Sequence, residues 1–276
     1  MKIQYRSKQR TTSIRKKEGV TFLTYDIFDG LPVTCVISTR LGGVSRGYLG
    51  SMNMSTTRGD DPECVRENHR RFAEVAGYDV SRLVMSDQIH ETQVLRVNAE
   101  DAHFGVPQKG IDALMTNVSK LPLMTFYADC VPLMFFDAAH KAIAMAHSGW
   151  KGTVAQIGRV CLERMKEEYG TEPEDVFAAI GPSICQQCYE VDEPLLTAFR
   201  QSFPGKADDW FEKAAKEGHY LLDLAGACRC TLREAGVLPE RIAMPDLCTC
   251  CNPEFLFSHR ASGGKRGNLS VVMYLK

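Results

Sequence analysis

The sequence predicts an α/β (α+β) fold, a sandwich built around a mixed sheet. Three observations carry this expectation. Apolar runs at 121–127, 132–136 and 142–146 follow one another too closely for helices to intervene, and Asp137-Ala138-Ala139-His140-Lys141 reads as a hairpin turn between the last two. Helical spacing appears elsewhere, as in Val154, Ile157, Val160, Cys161 and Met165. The order of these segments mixes hairpins with helices, which does not fit a purely parallel, doubly wound sheet.

The elements follow in order. Residues 1–17 hold Lys2, Arg6, Lys8, Arg10, Arg15, Lys16 and Lys17 with no acid. Residues 1–18 therefore read as a solvated basic extension and 19–276 as a single domain. Val20–Tyr25 and Val33–Ser38 have strand composition. A long loop region rich in Gly and small polar residues follows, the kind that is functional or mobile in a compact domain. Asp61-Pro62 opens a helix whose apolar face is Val65, Phe72, Ala73 and Ala76 and which Gly77 ends. Short strands are expected within 84–97 and at 111–116. A helix is expected over 152–168, a buried strand at Val176–Ile180, and further helices over 193–201, 210–216 and 222–234. Residues 255–257 and Leu269–Leu275 read as closing strands.

Composition narrows the function classes. The chain has 276 residues, 44% of them hydrophobic, and a net charge of -1 from 33 basic and 34 acidic residues. That balance gives no field to attract nucleic acid or an anionic membrane. No apolar segment follows the N-terminal charges as in a signal peptide, and no later run is long enough to span a bilayer as a helix. The expected compartment is the cytoplasm. Eleven cysteines, an odd number, argue against a fully paired disulfide framework, and most read as small core residues.

The chemistry points to two strand ends. Cys130 follows one apolar run and His147 ends another, within Ala146-His147-Ser148-Gly149-Trp150-Lys151-Gly152. One short hairpin between them brings the two side chains together. Such a pair is either a nucleophile with its base or two ligands of a metal. A buried thiol beside one hydrogen-bonded imidazole is the plainer alternative. His90, in Asp87-Gln88-Ile89-His90, favours the metal: it is surplus to a thiol nucleophile but completes a triad that leaves a fourth position open.

These segments resemble the laccase-like multicopper polyphenol oxidase family, also called the YfiH family, whose members are described as purine nucleoside phosphorylases. The resemblance runs from about Thr39 to the C-terminus. It rests on Thr39-Arg40-Leu41-Gly42-Gly43-Val44-Ser45, Ser51-Met52-Asn53, Gly59-Asp60-Asp61-Pro62, Gln88-Ile89-His90, Asp112-Ala113-Leu114-Met115-Thr116 and Ala128-Asp129-Cys130. Further on it rests on His147 to Thr153, Gly181-Pro182-Ser183-Ile184, Cys188-Tyr189-Glu190-Val191, Asp246-Leu247-Cys248-Thr249 and Phe257-Ser258-His259-Arg260. Two motifs depart from the family pattern. Ser148 and Lys151 replace Ala and Arg in one, and Lys loses bidentate anion binding. In the other, His259 replaces Tyr, and Ala261 and Ser262 stand where the family has a second Arg and an Asp.

The resemblance implies a YfiH-like fold, one grouped beside deamidating toxins. It implies His90, Cys130 and His147 as ligands of Zn²⁺, with copper the lesser choice. The implied reaction is phosphorolysis of adenosine, inosine, guanosine and methylthioadenosine, with deamination of adenosine besides. Its partners are then nucleosides and phosphate, in a monomer or small homo-oligomer. Arg40, Lys151 and Arg260 are the candidate phosphate contacts, Asn53 a candidate for ribose or phosphate, and Asp129 or Asp87 the candidate proton carrier. Three other readings stand beside this one. One is a cysteine hydrolase or amidase using Cys130 and His147, for example on cell-wall precursors. The others are a copper phenol oxidase and a non-catalytic binding module. Cys185-Gln186-Gln187-Cys188 and Cys248-Thr249-Cys250-Cys251 suggest a four-thiolate site, but the second motif reads as wrongly spaced, so a second metal is not expected.

Overall fold

Two mixed sheets lie face to face, with helices on both outer sides. The computed structural model describes residues 1–276. From the N-terminus come β1 (Thr12–Lys17), β2 (Val20–Tyr25), β3 (Val33–Ser38), α1 (Pro62–Ala76), β4 (Val84–Asp87) and β5 (Val94–Arg96). Next are β6 (Gln108–Lys109), β7 (Ala113–Thr116), β8 (Leu123–Tyr127), β9 (Val131–Asp137), β10 (Ala142–Ser148), α2 (Trp150–Val154) and α3 (Ile157–Tyr169). The last are β11 (Val176–Ile180), β12 (Glu190–Asp192), α4 (Glu193–Ser202), β13 (Phe211–Lys213), β14 (His219–Leu222), α5 (Leu224–Glu234), β15 (Ile242–Ala243) and β16 (Leu269–Leu275).

The larger sheet runs β1-β2-β3-β16-β8-β4-β6 and the second runs β15-β11-β9-β10-β7-β5; a third, small sheet is β12-β14-β13. Both large sheets mix parallel and antiparallel pairs: β16–β8 is antiparallel and β8–β4 parallel, β10–β7 antiparallel and β7–β5 parallel.

Strand alternation assigns each side chain to a layer. Along β9, Leu133 and Phe135 pack with Leu162, Met165, Phe199 and Leu232 from the helices, while Met134 and Phe136 join Leu123, Val271 and Met273 of the facing sheet. The outer face of the larger sheet, with Phe22, Val36 and Val272, is covered by Phe72 and Val75 of α1. Helix α1 starts as expected, with the Asp61 side chain accepting from the Glu63 N–H and Pro62 in the first turn, and it stops at Gly77 with φ +78°.

Four expectations change. The expected helix over 152–168 is two helices, because Gln156 adopts φ +56° between α2 and α3. The expected helix over 210–216 is strand β13. Pairing with β14 and the packing of Phe211 on Phe199, centroids 5.3 Å apart, override the helical propensity of its Glu and Lys residues. Residues 255–257 are buried but form a turn, so that apolar run reflects burial without strand pairing. The basic N-terminal stretch keeps its charges exposed, but its backbone is ordered: β1 pairs along β2, and Thr11 and Thr12 hydrogen-bond Asp246. No helix is long and apolar enough to cross a membrane.

Candidate active site

Two crossings between the large sheets build the site. The chain leaves the larger sheet at Tyr127, turns through Ala128-Asp129-Cys130 and enters the second sheet at Val131. It makes the same crossing between β4 and β5, and His90 lies in that connection. Since β4 and β8 run parallel as neighbours, their C-terminal ends, and the two crossings, lie side by side. His147 arrives on β10, paired with Pro132 of β9. The hairpin thus brings Cys130 and His147 together as the sequence suggests, and His90 joins them.

The three ligand atoms lie within 4.8 Å of one another. Cys130 Sγ is 3.9 Å from His90 Nε2, and the two imidazoles meet edge to face with centroids 4.6 Å apart. A tetrahedral zinc-sized cation puts bonded sulfur and nitrogen about 3.6 Å apart, so a small inward movement closes the set on a metal. Gly149 permits this approach. A Cβ there would stand 2.9 Å from His90 Cδ2 and 3.3 Å from Cys130 Sγ.

Asp112, whose role the sequence does not display, holds two of the three candidate ligands. Its buried carboxylate accepts the N–H groups of Ile89, His90 and Glu91, at 3.2, 3.0 and 2.8 Å, and His147 Nδ1 lies 3.0 Å from it. This grip keeps His90 at φ +66°, a left-handed conformation, and fixes which His147 nitrogen is left for a metal. Burial works to raise the Asp112 carboxyl, but the hydrogen bonds from His147 and Glu91 lower it below its ordinary value. Burial also opposes the charged forms of Cys130 and His147. Their mutual attraction outweighs it, so the thiol is lowered to about 6 and the imidazole raised to about 9.

The triad opens on a cavity of about 240 Å³. His69, Gln88, Phe104, Arg58, Arg266 and Asn268 help line it. Three buried polar atoms on this wall have no partner: His69 Nδ1, Arg266 Nε and Asn268 Oδ1. Burial, then the positive charge of Arg58, lowers the Arg266 guanidinium to about 10. Two cations on one wall suit an anion.

The expected anion contacts lie elsewhere. Arg40 spends its guanidinium on the carbonyls of Gly50 and Pro253. Asn53 is fully buried, bonded to Ser55, Asp60 and Asn268. Arg260 donates to the carbonyls of Cys188 and Glu190, and exposed Lys151 sits over Trp150. None of the four lines the cavity. Asp129, expected as a proton carrier, has both oxygens occupied, by Thr249 Oγ1 and the Arg260 N–H, each at 2.6 Å. Asp87 does line the cavity. The sequence does not show that Arg58, in a short 3-10 turn, and Arg266, in a loop, reach this cavity; only their charge could have flagged them.

Residues 34–276 match the family described as multi-copper polyphenol oxidoreductase laccase. The chain is 35% identical over 244 residues to a Bacillus subtilis protein named purine nucleoside phosphorylase YlmD, covering 87% of each. It is 30% identical over 245 residues to an adenosine deaminase from an unknown prokaryotic organism, covering 87% of this chain and 93% of that one. The crystal structure of a Bacillus licheniformis hypothetical protein, YfiH, superposes with a TM-score of 0.89 at 30% identity, covering 95% of this chain and 99% of the other. The fold is therefore the YfiH fold, and the chain belongs to the laccase-like multi-copper polyphenol oxidoreductase family.

Proposed function

We propose that this chain is a zinc-dependent purine nucleoside phosphorylase acting on adenosine, inosine, guanosine and methylthioadenosine, and that it also deaminates adenosine. One observation carries the reading: a Cys–His–His triad stands at the mouth of a small cavity with its remaining side open. The names of its relatives support the substrate class. One thiolate and two imidazoles suit zinc, which supplies a Lewis acid that polarises an oxygen of substrate, phosphate or water.

The chain's own residues do the rest. In phosphorolysis a phosphate oxygen bonds to the anomeric carbon as the C–N bond to the purine breaks. The bonding pair leaves with the purine nitrogen, which ends protonated. Arg58 and Arg266 hold the phosphate, since their mutual repulsion is relieved by an anion between them. Asn268 and His69 offer unpartnered polar atoms to the nucleoside, and Phe104 covers it from water. Asp112 holds His90 and His147 in place, and Asp129 keeps the turn before Cys130 in its left-handed shape, φ +92°. Asp87, at the cavity wall, is the carboxylate available to move a proton during deamination.

Incubation of the purified protein with inosine, with and without phosphate, tests the reading. Phosphate-dependent release of hypoxanthine and ribose 1-phosphate is expected. Activity that survives complete metal removal but dies on alkylation of Cys130 would replace it with cysteine catalysis. Copper at full occupancy in the active protein would overturn the zinc assignment.

A further inference from the structure

We infer that the chain holds a second metal ion, a structural zinc bound by four thiolates: Cys185, Cys188, Cys248 and Cys251. Their sulfur atoms all lie within 4.8 Å of one another, although the two pairs are far apart in sequence. Cys251 Sγ is 3.8 Å from Cys185 Sγ and 3.5 Å from Cys188 Sγ. A zinc ion with four Zn–S bonds of about 2.3 Å sets its sulfurs about 3.8 Å apart. A disulfide would need about 2.05 Å. The two edges at Cys251 already have the length of the coordination tetrahedron's, and the others lie within 4.8 Å.

The spacing fits once the correct cysteines are chosen. Cys185 and Cys188 form one C-x-x-C turn, and Cys248 and Cys251 form a second of equal length. Cys250 lies outside the four and turns toward Cys188 and Ser258. The wrong spacing seen in the sequence came from counting that extra cysteine.

A second observation is independent of the sulfur distances. The backbone N–H groups of Cys185 and Cys251 both point at Cys248 Sγ, at 3.2 and 3.4 Å. Two N–H donors converging on one sulfur favour the thiolate, the form that binds metal. Four thiolates this close would repel strongly without a cation. All four coordination positions are protein sulfur, so this site is closed, as structural zinc sites are.

Its place in the fold assigns its role. Ile184 donates its N–H to the Asp129 carbonyl, and Thr249 Oγ1 donates to the Asp129 carboxylate. Arg260 bridges the same carboxylate to the Cys188 carbonyl. Both cysteine turns therefore brace the residue before Cys130. The second zinc clamps these two loops and positions the turn that carries the active-site thiol.

Metal analysis of the full-length protein, expressed with zinc and purified under reducing conditions, should find two zinc ions per chain. The His90→Ala variant should keep one. Its cobalt-substituted form should show the intense visible bands and sulfur-to-cobalt charge transfer of a four-sulfur tetrahedron. Cys251→Ser combined with His90→Ala should abolish that spectrum. One metal per native chain, or a His90→Ala protein that is folded but metal-free, overturns the inference. For variants that do not fold, the native chain still decides: mass analysis without reductant showing hydrogens lost to disulfides among these cysteines also overturns it.

Discussion

Two groups of side chains that could hold a metal ion make a useful contrast. His90, Cys130 and His147 sit where the chain twice passes from one sheet to the other, and their open side faces a cavity. Cys185, Cys188, Cys248 and Cys251 sit on two turns that do not line that cavity and close on themselves. The first group has three protein donors and room for a reactant. The second has four and no room. Ligand count and access, more than the metal, separate a group suited to chemistry from one suited to holding loops together.

The contrast breaks most sharply at the open group. Replacing His147 with Ala or Cys130 with Ser should reduce phosphorolysis to background and remove one metal per chain. Retained zinc with full turnover in either variant would end the assignment of that group to catalysis. Asp112→Asn should act next most strongly. It removes acceptor capacity from a carboxylate that takes three N–H groups and faces His147 Nδ1. Loss of such a supporting partner typically costs about 10–100-fold in metal affinity or activity. Titration with a zinc chelator should show that loss at the open group while the four-sulfur group keeps its metal.

The open group was legible in the sequence because its logic is local. Cys130 and His147 each end an apolar run, and the turn at 137–141 places those ends together. His90 needed the family motif, since no spacing rule connects a loop after β4 to the other two. Asp112 was quoted in a motif but gave no sign of its role, because its partners are backbone N–H groups that a sequence does not display. The sequence likewise hides what occupies the expected anion contacts. Arg40 and Arg260 look like free cations in a sequence, yet both are spent on carbonyl groups distant along the chain. The sulfur group was visible as two motifs, but the small sheet and helices α4 and α5 separate them, and Cys250 blurred the register of the second. The layers of the fold were readable from alternating apolar residues. The strand β13 was not, because its Glu and Lys residues carry helical propensity and only its pairing with β14 decides the matter.

Gly149 sharpens the geometric side of the contrast. The Gly149→Ala methyl would press on His90 and Cys130 at 2.9 and 3.3 Å. The expected result is roughly a tenfold weaker metal at the open group, on the scale of disturbed ligand orientation. The fold and the sulfur group should be unchanged by circular dichroism and metal count. Unaltered zinc affinity would mean that the ligands have more slack than the structure gives them.

The smallest effect concerns the cavity wall behind the open group. His69 is buried, and its Nε2–H donates to the Met54 carbonyl at 2.8 Å. Burial lowers the imidazole to about 4, against the small opposing pull of that carbonyl. An unfolded histidine titrates near about 6.5, so the unfolded chain takes the proton first. Stability therefore falls as pH drops from about 6.5 to about 4, by at most about 3 kcal/mol from this one group. His69→Gln keeps a donor for Met54 but removes the titration. Its melting temperature should decline less steeply than that of the unaltered chain across this pH window. Parallel declines would show that His69 reaches water, and that the cavity wall is more open than its burial indicates.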